Sequence, residues 1–242
     1  MEPNAADTRT ESRQVRLRIT WRYLVAFAAL TILCGTSHEF VHHFSAAAIC
    51  GGFGVKTFNS FDIAPGCEAN PWHWAATLAG PAFTFGLMWW GALLLRRQST
   101  SDRQIGFALI FANFPINRLF FVLIYANDEY DAAFHLFGRS ELVHLLTIAA
   151  TWLIALPPVV IGYRAIANPK RPLWFAAFFI LPFVFVLTFA AVFLENYLLL
   201  EKHFLASRVL GVPWLILVVE GLSLAIYYAF RRDLTGRRRL SD

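Results

Sequence analysis

The chain has 242 residues, of which 57% are hydrophobic and only 15% are charged, and its mean hydropathy is +0.52. A soluble domain would carry about a quarter charged residues, so the composition excludes an ordinary soluble fold and predicts a polytopic membrane protein. The net charge of +5 could favour binding to nucleic acid or to anionic lipid, and the positions of the basic residues decide between these two partners.

Six segments are apolar over the roughly 20 residues that a bilayer crossing requires. We place them at 21–49, 72–95, 104–127, 144–166, 173–200 and 209–230. The predicted fold is therefore all-α, with about six transmembrane helices in one membrane-embedded domain. That domain spans residues 21–230, between a flexible cytoplasmic leader (1–20) and a basic cytoplasmic tail (231–242).

Lysine and arginine alternate between the connections. The N-terminal segment, the second and fourth loops and the tail together carry 16 of them, and the other three loops carry 4. By the positive-inside rule both termini face the cytoplasm, which predicts an integral protein of the cell (inner) membrane. The lipid bilayer then accounts for the basic balance, and no nucleic-acid partner is expected.

The first span ends in "SHEFVHH", where His38, Glu39 and His42 form an H-E-x-x-H motif. Helical residues four apart share a face, so both imidazoles can bind one Zn2+ that has a third protein ligand and a position for water. Glu39 would act as the general base and pass the proton to a leaving amine. Ionisable residues inside a span are candidates for function, although a polar patch at the end of the helix is the alternative.

The first loop, "CGGFGVKTFNSFDIAPGC", has many glycines and short runs of valine, phenylalanine and isoleucine. This pattern predicts a small β-hairpin at the membrane surface, with a plain loop as the alternative. Cys50 and Cys67 flank the loop on the predicted outer side, where either a disulfide or two free thiols can exist.

The third ligand is expected at the outer end of the third span, in "ANDEYDAA". Helical rise places Asp128 at about the height of His42, and Asp131, one turn further out, is the alternative ligand. Glu129 would point about 100° away from Asp128 on a continuous helix. Solvated charge is the simpler explanation for any one of these carboxylates.

The second span contains "LAGPAFTFG" (78–86), in which Ala79 and Gly80 permit close helix approach and Pro81 loosens the backbone. The third contains "FANFPINRLFF", with Asn113 and Asn117. Asn117 lies on the same helical face as Asp128, so both asparagines are candidates for substrate binding or for structural amides. Arg118 is deep in this span, and we predict Glu220 of the last span as its structural counter-ion.

Across residues 21–135 the chain resembles the site-2 protease group of intramembrane zinc metalloproteases. The resemblance rests on H-E-x-x-H in a membrane helix, A-G-P in the next span and the polar third span. It implies a zinc-dependent endopeptidase that cleaves a membrane protein or peptide within or next to the membrane. Two features depart from the group: no Leu-Asp-Gly follows the third motif, and the charge pattern places the site near the outer side.

Two other functions remain open from the sequence. A membrane metal-binding protein or pseudoprotease without hydrolysis would need the ligands but not Glu39. A di-iron lipid oxygenase fits the "HEFVHH" spacing, but such sites need about eight histidines, and the chain has seven, of which four are scattered singly.

Overall fold

The computed structural model describes residues 14–236. The helices and strands of these residues, in chain order, are α1 (Trp21–Cys50), α2 (Trp74–Leu95), α3 (Thr100–Ala112), α4 (Pro115–Phe121), α5 (Asp128–Phe137), α6 (Glu141–Ala165), α7 (Arg171–Phe185), a π-helix (Val186–Glu201), β1 (Arg208–Val209), β2 (Val212–Pro213) and α8 (Trp214–Leu234), with short 3-10 helices at Cys67–Ala69 and Val122–Ile124.

Among residues 14–236, six helical stretches are long and apolar enough to cross a membrane, which confirms the all-α polytopic prediction. They are Trp21–Cys50, Trp74–Leu95, Thr100–Phe137, Glu141–Ala165, Arg171–Glu201 and Trp214–Leu234. Large apolar side chains point outward from them, including Leu153 (76% exposed) and Leu173 (65% exposed). Such a surface suits a hydrocarbon solvent, since lipid tails are as apolar as leucine.

Helix α1 forms the centre of the fold and packs against both α2 and α8. The side chain of Thr20 caps its start by accepting from the Tyr23 N–H, and Gly51 ends it with a φ of 72°. Around its first half, Tyr23 and Phe27 pack with Phe107 and Phe178 in an aromatic core. The histidine motif lies beyond this core, in the second half of the helix.

The third span is broken twice, and the prediction of one continuous helix was wrong. Pro115 cannot continue α3, and Phe114 before it adopts a left-handed φ of 35°. The second break follows the 3-10 turn, with Tyr125 at a φ of 60°. Asn127 then starts α5 as its N-cap by accepting from the Tyr130 N–H. Asp128 is therefore the first residue of a new helix.

The part of the predicted leader that the structure describes, residues 14–20, packs against the rest of the fold. Val15 and Leu17 are buried, and Val15 pairs with Ile166 in a parallel bridge. The Leu17 N–H donates to the Asn168 side chain at 2.7 Å. Residues 1–13 lie outside the described residues. At the other end, the predicted tail begins inside α8, and residues 237–242 lie outside the described residues.

The first loop contains a disulfide between Cys50 and Cys67 but only one antiparallel bridge, between Lys56 and Phe61. The predicted hairpin is thus reduced to a single pairing. The small two-stranded sheet lies instead between the π-helix and α8, where β1 pairs antiparallel with β2. The two loops meet over the end of α1, because the Lys56 N–H donates to the Gly211 carbonyl at 3.0 Å.

Candidate metal centre

Helix α1 brings two buried imidazoles together. His38 and His42 are 5% and 1% exposed, and their Nε2 atoms lie 2.9 Å apart. Because the residues are one turn apart on the same helical face, this convergence follows from the spacing of the motif. Two ring nitrogens therefore point at one place inside the fold.

Helix α2 orients both rings through their other nitrogens. His42 Nδ1 donates to the Ala76 carbonyl at 2.8 Å, and His38 Nδ1 bonds the Thr84 hydroxyl at 2.8 Å. A carbonyl only accepts, so neutral His42 carries its lone pair on Nε2, and the bond to Thr84 permits the same tautomer in His38. Histidines that bind a metal through one ring nitrogen typically form such a hydrogen bond through the other.

Gly80 lies between these two contacts and allows the helices to approach. Ala76, Gly80 and Thr84 are spaced by four residues and so lie on one face of α2. A Cβ atom at Gly80 would overlap His42 Nε2 and would lie 2.7 Å from His38 Cε1. The A-G-P stretch thus has a local physical reason: any side chain at its glycine would occupy the place of the imidazoles.

Asp128 completes a triangle of ligand atoms. Its Oδ2 atom lies 3.4 Å from His38 Nε2 and 3.7 Å from His42 Nε2. Ligands of a tetrahedral zinc ion, at about 2.0–2.1 Å from the metal, lie about 3.3 Å apart, so the donor set fits such an ion. Among residues 14–236 these three form the one group of histidine, cysteine and acidic residues placed to hold a metal ion.

Asp131, the alternative ligand, is not brought to the histidines. It is exposed and lies with Tyr125, Tyr130 and Arg139 at a separate surface cavity. The break before α5 explains the difference. Asp128 is the first residue of α5, and its carboxylate lies near the histidines of α1. Asp131 follows almost one helical turn later, so it lies further along α5 and away from α1.

Arg118 and Glu129 are parts of the site that the sequence analysis missed. Arg118 Nη1 donates to Asp128 Oδ2 at 2.6 Å and lies 3.3 Å from Glu129 Oε2. Its Nη2 lies 2.6 Å from His38 Nε2. The predicted pairing of Arg118 with Glu220 was wrong, since Glu220 accepts a hydrogen bond from Thr36. The isolation of Arg118 within an apolar span was the only available signal.

A cavity of about 440 Å3 opens beside the three ligands and is lined by Glu39, Asn117 and Arg118, with the α7–π-helix junction forming its apolar wall. Glu39 is half-buried and lines this cavity together with His38 and Asp128. Asn113 does not line this cavity. At the C-cap of α3, its side-chain amide donates to the Leu109 carbonyl at 2.7 Å, so the predicted role of Asn113 in substrate binding stays a prediction.

The first loop packs over the site beyond the histidine motif. The Phe61 ring stacks on His42 with centroids 4.5 Å apart. Lys56 is fully buried, with Nζ donating to the Thr57 carbonyl and lying over the Phe40 ring. Burial lowers the pKa of Lys56 to about 8, an effect that the nearby Glu39 carboxylate opposes. The loop therefore places the Lys56 amine where it interacts electrostatically with Glu39.

Comparison with known proteins gave no match: no protein-family model, no curated protein and no solved structure matches the chain. The chain is a polytopic membrane protein in which the buried His38 and His42 and the half-buried Asp128 could hold a metal ion.

Gly80→Ala should abolish metal binding, because the added methyl group overlaps the imidazoles. We expect the metal content per protein to fall to background and the unfolding free energy to drop by about 1–3 kcal/mol. Gly86→Ala on the same helix is the matched control, since its Cβ would meet nothing within 4 Å. Elemental analysis and thermal unfolding in detergent measure both effects. Equal metal content in the two variants would contradict the close-contact argument.

Asp128→Ala should weaken zinc binding at least about tenfold, since the ion would keep only two protein ligands. Asp131→Ala should stay within about twofold of the wild type, because the ion does not depend on a carboxylate outside its ligand set. Competition with a chromophoric chelator gives both affinities. If Asp128→Ala binds zinc normally, the third ligand lies elsewhere.

Proposed function

We propose that the protein is a membrane-embedded zinc-dependent endopeptidase that hydrolyses peptide bonds within or next to the bilayer. The observation that carries the proposal is the convergence of His38, His42 and Asp128, with Glu39 in the adjoining cavity. Two imidazoles, one carboxylate and a neighbouring glutamate make up the residue set of a hydrolytic zinc centre. Zinc is favoured because it accepts mixed nitrogen and oxygen ligands in a tetrahedral arrangement.

When bound, zinc supplies a Lewis acid that polarises a carbonyl and makes water more acidic. Glu39 takes a proton as the water oxygen bonds to the carbonyl carbon of the substrate. It then gives that proton to the amine nitrogen as the carbon–nitrogen bond breaks. Thr84 and the Ala76 carbonyl hold the two imidazoles in position, so the rings need no reorientation during the reaction.

The cavity suits a segment of a membrane protein as substrate. Its wall carries Phe121, Phe183 and Leu187, which offer apolar contacts to the side chains of such a segment. Asn117, on the polar side, can hydrogen-bond the substrate backbone. Since a transmembrane helix sequesters its own amides, the substrate must unwind locally before its carbonyl can reach Glu39.

The resemblance to the site-2 protease group supports the same proposal at the level of motifs. H-E-x-x-H in a membrane helix and A-G-P in the next helix lie in direct contact here, through Gly80 and the histidines. The third ligand comes from the start of α5 rather than from a Leu-Asp-Gly sequence.

The two alternative functions explain less of the site. A metal-binding protein without hydrolysis uses the same ligands but gives no role to Glu39. For a di-iron oxygenase, the histidines are too few at the site: His43 donates to the Leu210 carbonyl, and His73 packs against His135. Within the described residues only two histidines belong to a metal-binding group.

We further propose that the protein lies in the cell (inner) membrane with both termini cytoplasmic and the metal centre toward the outer side. The distribution of lysine and arginine supports this orientation. The Cys50–Cys67 disulfide suits an oxidising compartment on the outer side.

A cysteine introduced at Ser60 should react with an impermeant maleimide in intact cells, and protection of that site would contradict the orientation.

Glu39→Gln should retain zinc but lower the rate of hydrolysis by about 10²–10⁴-fold, because the amide keeps the shape and cannot accept the proton. The assay uses a labelled single-span peptide whose helix is interrupted by glycine, in detergent micelles, with products identified by mass spectrometry. Glu68→Gln in the exposed part of the first loop is the matched control. Equal cleavage by Glu39→Gln would remove the mechanism. A wild type that binds zinc but cleaves nothing would favour the alternative without hydrolysis.

A further inference from the structure

The positively charged guanidinium of Arg118 contacts atoms that would bind the metal. Its guanidinium contacts Asp128 Oδ2 at 2.6 Å, which is the oxygen that faces both histidines. Its Nη2 atom also lies 2.6 Å from His38 Nε2 and 3.3 Å from His38 Nδ1, so the guanidinium contacts the ring nitrogen that would bind the metal. Two of the three ligand atoms thus have a cation in contact with them.

A guanidinium and a metal ion are not easily accommodated together at this place. Arginine remains charged in proteins and offers only donors, so it cannot itself ligate a metal. A divalent ion on His38 and Asp128 would lie within contact range of the guanidinium, and the repulsion is poorly screened at a buried site. Arg118 is 7% exposed, so solvent does little to reduce this repulsion.

Glu129 provides a second place for the same guanidinium. Its Oε2 already lies 3.3 Å from Arg118 Nη1, and its Oε1 is buried with no hydrogen-bond partner among residues 14–236. Asn127 Nδ2 donates to Oε2 at 2.7 Å and helps to hold the carboxylate in place. Glu129 also lines an apolar cavity of about 730 Å3 between α2, α5 and α6, so there is space around it.

We propose that Arg118 is a built-in cation that competes with the metal ion for His38 and Asp128. Loading the site then requires the guanidinium to withdraw toward Glu129, whose unpartnered oxygen can accept a hydrogen bond from it. Arg118 thereby lowers the affinity for the metal and neutralises Asp128 when no metal is bound. The inference rests on the metal site of the proposed function and adds a regulatory role for a residue that is not a ligand.

The test compares zinc affinities of the purified full-length protein, stripped of metal and titrated against a chromophoric chelator. Arg118→Gln should bind zinc at least about tenfold more tightly than the wild type, because a like charge is removed from the site. Glu129→Gln should bind more weakly, since the displaced guanidinium loses its alternative partner. Arg139→Gln, an exposed arginine given the same substitution, should leave the affinity within about twofold, because solvent and salt screen its charge.

The opposite signs separate competition from damage to the fold, which would weaken binding in both variants. If folded Arg118→Gln binds zinc no more tightly than the wild type, the inference is overturned, and weaker binding would instead make Arg118 an orienting partner of Asp128. Should Arg118→Gln not be recovered folded, Arg118→Met replaces it. Its long neutral side chain also removes the positive charge, so this variant should bind zinc more tightly than the wild type, and a failure to do so overturns the inference.

His42→Ala, measured beside these variants, separates this inference from the proposed function. A wild type that binds zinc no better than His42→Ala would remove the metal site and this inference together. A wild type that binds better than His42→Ala, with an unchanged Arg118→Gln, would remove only the competition by Arg118.

Discussion

The close approach of α1 and α2 at Gly80 is the contact on which the site depends. In a bilayer, helices associate through packing and hydrogen bonds, and small residues permit their backbones to come together. Here the small residue lies opposite the two imidazoles, and Ala76 and Thr84 bond them from one turn on either side. One face of α2 therefore supplies both the space for the rings and the partners that orient them.

The two breaks in the third span bring the remaining groups to this contact. The break at Pro115 creates the short helix α4, which carries Arg118, and the Asn127 cap starts α5 at Asp128. The carboxylate thus lies at a helix N-terminus, where negative charge is favourable. Phe114 at the first break and Ala126 and Asn127 at the second line the cavity beside the site. Irregular backbone is tolerated in a membrane protein where it lines a cavity.

Much of this arrangement was accessible from the sequence. Hydropathy located the six spans, and the spacing of His38 and His42 predicted the shared face that the structure has. Asp128 was selected for its height along an unbroken helix, and the structure brings it to the histidines by another route. Asn117, which was predicted on the same helical face as Asp128, lines the same cavity as Asp128 although a helix break separates the two residues.

Other parts of the fold and of the site depend on contacts between distant segments, which a sequence pattern does not reveal. Whether Arg118 pairs with Glu220 or with Asp128 is decided by how the spans are arranged, and either pairing satisfies the same rule that buried charges need partners. The packing of Val15 and Leu17 against the loop after α6 is a long-range contact between short segments, and no local periodicity predicts it. The first loop has strand-like composition, but its pairing with Gly211 needed the position of another loop.

We propose that His38, His42 and Asp128 hold one metal ion between α1, α2 and α5. X-ray absorption at the zinc K-edge, on purified protein loaded with one equivalent of zinc, identifies the ligands of that ion. We expect nitrogen and oxygen ligands only, at about 2.0–2.1 Å, with outer-shell scattering that fits two imidazole rings. Sulfur at about 2.3 Å, or scattering from more than two imidazoles, would show that other residues bind the ion.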